Sequence, residues 1–147
     1  MKIVVVLAVF VFSAAVGVCA TSVHYGNQLS DFYPEISAAA VAIPPEIPLE
    51  KEIIVWSEFR NRKATLVRSD ATKIPYDKEI GSITIESQNR PKQYIRLRRF
   101  RTVEIRWIND RLLYINCDIG HTASVDAIFD AQTGKWIYRQ SMSYGNE

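Results

Sequence analysis

Between residues 52 and 141 the hydrophobic and polar positions fall into short runs with a period of two, the spacing of strands with one buried face. Ile53-Ile54-Val55-Trp56 is β-branched and aromatic, which predicts a strand. A helix through Leu49, Ile53, Trp56 and Phe59 is possible on spacing alone, and the Ile-Ile-Val cluster favours the strand. Arg60–Lys63 reads as a turn and Ala64–Arg68 as the returning strand. Residues 69–81, with Pro75, Asp77 and Gly81, read as a loop. In Ser82–Ser87 the alternation is clean, with Ile83 and Ile85 on one face and Thr84 and Glu86 on the other. After a turn at Gln88–Pro91, Tyr94–Arg98 returns with Ile95 and Leu97 inward and Tyr94, Arg96 and Arg98 outward. Arg99-Phe100-Arg101 breaks the pattern and predicts a bulge or turn.

Residues 102–141 read as two consecutive hairpins, and loop length sets their register. In the first, a two-residue loop at Asn109-Asp110 would mix both faces. A three-residue loop through Arg111 pairs Trp107 with Leu113, Ile105 with Ile115 and Val103 with Cys117, giving one apolar face. Glu104, Arg106, Tyr114, Asn116 and Asp118 then point the other way. In the second hairpin a four-residue loop, with Gly134 supplying positive φ, pairs Asp130 with Lys135, Phe129 with Trp136 and Ile128 with Ile137. Continued, that register sets Ala127 opposite Tyr138 and Asp126 opposite Arg139. Phe129, Trp136, Ala127 and Tyr138 are its predicted core face. Ile128, Ile137, Ile108 and Leu112 fall on the other side, which the upstream strands are expected to cover.

The first twenty residues follow a different rule. Lys2 precedes an apolar run, Ile3–Phe12, and Val18-Cys19-Ala20 is a small-x-small cleavage site, so residues 1–20 read as a signal peptide cut after Ala20. The run is shorter than the roughly 20 residues a membrane span needs, and no later stretch is more apolar. Export to a periplasmic or extracellular space is the expectation. Acylation of Cys19 is disfavoured by Val18 before it, where a small residue is required. Residues 21–50, with Ile43-Pro44-Pro45-Glu46-Ile47-Pro48, read as an extended arm. The alternative is a segment ordered by docking Tyr25, Phe32 or Tyr33.

Removing twenty residues from 147 leaves 127, enough for one domain over residues 51–147. Removing Lys2 from 18 basic residues leaves 17 against 16 acidic ones. That near-neutral balance argues against nucleic acid as a partner. Cys117 is the one cysteine left, so it cannot form an intramolecular disulfide, and the hairpin register makes it a core residue.

The chemistry-bearing residues are few. His121 lies in the loop between the hairpins, where Asp118, His121 and Asp126 are the weak candidates for a metal or general acid–base centre. Their spacing matches no ligand motif, and phosphate loops and zinc spacings are absent, so no cofactor is expected. The densest charge feature is Arg96, Arg98, Arg99 and Arg101, flanked by Tyr94 and Phe100. These arginines, with Tyr94 and His121, are the candidate contacts for a protein or acidic ligand.

Trp107–Ile115, Asp126–Asp130, Gly134-Lys135 and Ile137-Tyr138 resemble the C-terminal pattern of uncharacterised secreted bacterial proteins, a resemblance that implies no activity. The turn Asp130-x-x-Thr133-Gly134-Lys135 is similar to turns in β-propeller blades, although the chain is too short to close a ring. Tyr114-x-x-Cys117-x-x-Gly120 resembles membrane-bound lysozyme inhibitors of the C-type family, which depend on disulfides that this chain cannot make.

The expected fold is all-β, an antiparallel meander forming a small sandwich or partly open barrel behind an extended N-terminal arm. The expected function is that of an exported, non-enzymatic binding protein acting through its outward sheet face and the loop between the hairpins. Inhibition of a secreted hydrolase and a small hydrolase or metal-dependent enzyme centred on residues 118–126 are the alternatives.

Overall fold

A computed structural model describes residues 33–120 and 123–143. His121, the signal-peptide stretch and most of the first part of the arm lie outside them. Among the described residues nine strands form two antiparallel sheets: β1 (Glu35–Ser37), β2 (Ile53–Trp56), β3 (Arg62–Arg68), β4 (Ile80–Ser87) and β5 (Gln93–Arg98) in one, and β6 (Thr102–Trp107), β7 (Leu112–Asp118), β8 (Ala123–Asp130) and β9 (Lys135–Ser143) in the other. The five-stranded sheet runs β1-β5-β4-β3-β2 and the four-stranded sheet β6-β7-β8-β9. Neither closes into a barrel.

The alternation seen in the sequence builds the shared core. Ala64, Leu66, Ile83, Ile85, Ile95 and Leu97 project from one sheet, and Ile105, Leu113, Ile115, Val125, Ala127 and Phe129 from the other. Each large aliphatic or aromatic side chain taken out of water in this layer contributes about 1.5–3 kcal/mol. The sheets are also tied at both edges. Trp107 Nε1 donates to the Val55 carbonyl at 3.2 Å between β6 and β2. Tyr33 Oη donates to Ser141 Oγ at 3.4 Å beside β9, and the Arg139 guanidinium lies 5.3 Å from the Tyr33 ring centre.

One crossover joins the sheets. Arg99 takes a left-handed φ of +52°, which turns the chain out of β5 and drives Phe100 into the core. Gly81 makes room for it: a Cβ there would stand 2.9 Å from Phe100 Cζ. Arg101 N then donates to the Asp118 carbonyl at 2.7 Å and starts the second sheet.

The first hairpin has the predicted register, with Trp107 opposite Leu113 and Val103 opposite Cys117. The second departs from expectation after two pairs. Asp130 faces Lys135 and Phe129 faces Trp136, but a bulge shifts the rest, so Ile128 faces Tyr138, Ala127 faces Arg139 and Asp126 faces Gln140. Tyr138 consequently leaves the predicted core face and is exposed, as are Ile137 and Ile108. The expected cover over that outer face is not found at these three residues.

The stretch read as an arm is, in its described part, integrated with the sheet. Glu35–Ser37 pairs with β5, Pro34 is buried and Tyr33 packs on the core. Leu49 bridges Ser69, and Glu50 pairs with Arg68 at 2.5 Å. The proline-containing connection between them passes from one edge of the sheet to the other, four strand spacings or roughly 19 Å. Its polyproline-type residues suit an extended span that donates little to a ladder.

Candidate functional site

The arginines of β5 owe their direction to the inward anchoring of Ile95 and Leu97. With those two buried, Arg96 and Arg98 stand on the outer face, opposite Ser82 and Ile80 of β4. The left-handed turn at Arg99 brings a third guanidinium to the same end of the strand. The chain before β4 completes the wall. A 3-10 turn at Tyr76–Lys78, entered through Pro75, leads directly into Ile80. Together Lys78, Ile80, Arg96, Arg98 and Arg99, with the acidic Asp77 and Glu79, line a cleft of about 300 Å³.

The electrostatics of this cleft are unbalanced. Glu35 is opposite Arg96 in register, yet none of Arg96, Arg98 and Arg99 is in an ion pair among the described residues. Arg96 Nε is buried with no hydrogen-bond partner. A buried donor left unmade costs about 1–3 kcal/mol, so an acceptor arriving from outside would be favoured there.

Two of the six predicted contacts sit elsewhere. The Arg101 guanidinium lies 5.8 Å from the Tyr76 ring centre, at the junction between the sheets. Tyr94 stands between Ser37 and Thr84 and is half-buried outside the cleft lining. His121 lies outside the described residues. Glu79, by contrast, lines the cleft beside Lys78; it is buried with Oε2 unpartnered, and burial pushes its carboxyl up while Arg101 and Arg68 pull it down.

Of the residues considered for catalysis, Asp118 and Asp126 are occupied structurally. Asp118 Oδ1 accepts from the Gly120 amide at 3.0 Å, a local turn. Asp126 Oδ1 accepts from Tyr114 Oη at 2.5 Å and Asn116 Nδ2 at 2.9 Å. Burial and then the Asp126 carboxylate push the Tyr114 phenol up to about 12. Arg106 stacks 4.6 Å from the Tyr114 ring centre. Burial likewise pushes the Cys117 thiol up to about 12, far from a nucleophile's range. No group of three or more His, Cys, Asp or Glu side chains arranged for a metal occurs among the described residues.

Asp77, Lys78 and Glu79 were missed in the sequence, where they fall in a stretch read as a loop. The signal was present: once Ile83 and Ile95 share a face, Ile80 falls opposite Arg98, and residues just before it must approach the arginines. Among the described residues no helix is long and apolar enough to cross a membrane. Compared with family models, curated proteins and solved structures, the chain matches none.

Proposed function

We propose that the chain is an exported binding protein that captures an acidic ligand through the arginine-lined cleft of β5. The observation that carries this reading is the buried, partnerless Nε of Arg96 beside two further arginines without ion pairs. Guanidinium groups in that setting suit a carboxylate, phosphate or sulfate, which offers several acceptor oxygens and accepts charge-assisted hydrogen bonds. Binding rather than catalysis is favoured because Cys117 is buried and Asp126 is engaged by Tyr114 and Asn116. Export rests on Lys2, the apolar run after it and the Val18-Cys19-Ala20 site.

The test is retention on a sulfated polysaccharide matrix. Wild-type protein should be retained at low salt and elute earlier as salt screens the contact. Arg96→Glu/Arg98→Glu should pass through while keeping the wild-type melting curve. Equal retention of the two proteins would end the proposal.

A further inference from the structure

The outer face of the five-stranded sheet holds a second concavity, at the opposite end of β4 from the arginines. It has a volume of about 430 Å³ and is lined by Trp56 of β2, Lys63 of β3, Glu86 of β4, and Asn61 and Gln88 of the two adjacent turns. Glu86 lies six residues along β4 from Ile80, or roughly 20 Å at a strand's rise, so the two clefts are separate sites. We infer that this one is a saccharide platform, with a pyranose ring stacked on Trp56 and its hydroxyls bonded to the polar rim. The inference is independent of the acidic-ligand reading.

The first ground is the indole itself. Trp56 stands on the outer face because its neighbour Val55 packs on the core, and it is 51 % exposed. A sugar ring is amphipathic in the same way as the site, with an apolar C–H face and a rim of hydroxyls. It covers the indole without leaving a polar group unpaired.

The second ground is the arrangement of the rim. Trp56 is opposite Lys63 and Lys63 opposite Glu86, so ring, cation and carboxylate form one row across three strands. Lys63 Nζ and Lys92 Nζ each lie 2.8 Å from a Glu86 oxygen. Those contacts hold the Glu86 carboxyl down at about 2, so it accepts throughout the physiological range. Ser57 Oγ donates to Asn61 Oδ1 at 2.9 Å and orients the amide, leaving its NH₂ as the outward donor. The site thus offers fixed donors and a fixed acceptor around an aromatic ring, the combination hydroxyl groups need.

A protein partner fits less well. Interface hot spots place a tryptophan within a desolvated apolar patch. Ile54 and Phe59 are also exposed near Trp56, but the residues that share the concavity and its row are the paired charges of Lys63 and Glu86, with Lys92 beyond them, all partly open to water. Gluco-configured, β-linked chains are the class that fits best, since their equatorial hydroxyls leave the broadest C–H face for the indole.

The experiment is a titration of full-length protein with cellohexaose and with chitohexaose, followed by the indole N–H resonances. The Trp56 resonance should shift and saturate with at least one of them, while those of Trp107 and Trp136 stay in place. Trp56→Ala should weaken binding by roughly tenfold or more, and Trp56→Phe should retain part of it. An unmoved Trp56 resonance at saturating amounts of both sugars overturns the proposal. So does a shift that depends on protein concentration alone, which would assign Trp56 to contact with a second copy. Arg96→Glu/Arg98→Glu should bind the sugars as wild type does, which keeps this test distinct from that of the arginine cleft.

Discussion

Arg111 grips Asp130 with two parallel hydrogen bonds, Nε to Oδ1 at 2.8 Å and Nη2 to Oδ2 at 2.5 Å. The same carboxylate accepts from the amides of Gln132 and Thr133 and from the Thr133 hydroxyl. One buried side chain therefore fastens the turn of the first hairpin to the turn of the second. The Arg111 guanidinium first, and then the Thr133 and Gln132 contacts, hold the Asp130 carboxyl well below the usual carboxylate range, against the opposing effect of burial.

A depressed folded-state pKa stabilises the fold above the unfolded value of about 4 and ceases to do so as pH falls toward the folded value. Asp130→Asn should lower stability at neutral pH by about 1–3 kcal/mol through lost charge-assisted bonds. Below about pH 4 its melting temperature should fall less steeply than that of wild type. Thermal melts across that range check it, and parallel slopes would remove Asp130 from the account of acid stability.

The crossover between the sheets predicts a steric effect. Gly81 has Phe100 Cζ 2.9 Å from where its Cβ would lie. Gly81→Ala should then destabilise by about 1–3 kcal/mol, the usual range for overpacking. Denaturant unfolding measures it. Pairing Gly81→Ala with Phe100→Leu should recover part of the loss, because the smaller side chain relieves the same contact.

Cys117 tests the hairpin register. It is buried opposite Val103, and burial pushes its thiol up to about 12. An aromatic disulfide reagent should label it only after denaturation. Prompt labelling of native protein at pH 8 would contradict its place in the core.

How far the fold could be read in advance follows from where the alternation is decisive. In the first hairpin only the odd loop gathers Trp107, Ile105 and Val103 on one face with Leu113, Ile115 and Cys117, so the register was legible to its end. In the second, Asp130–Lys135 and Phe129–Trp136 were equally legible. The extra residue at Ile137 was not, because a bulge preserves the pairs before it and shifts only those after. Nor could hairpin pairing reveal that Asp126 and Asp130 turn to β7 and its loop for partners, since β8 is a central strand with a neighbour on each side. β1 escaped notice because Glu-Ile-Ser is too short to show a period. At the candidate site the outward arginines of β5 were visible in the sequence. Their convergence with Lys78 depended on a 3-10 turn that composition had marked only as a loop.

Ligand capture at β5 turns on the Arg96 guanidinium, whose Nε is buried and without a partner among the described residues. It is tested most directly by following the arginine Nε–Hε resonances while inorganic phosphate is titrated at constant ionic strength. The Arg96 resonance should show a saturable shift that is lost in Arg98→Glu, with Arg62 and Arg111, already bonded to Ser87 and Asp130, unmoved. An Arg96 resonance that stays in place, or that moves only in step with every other arginine, would contradict it.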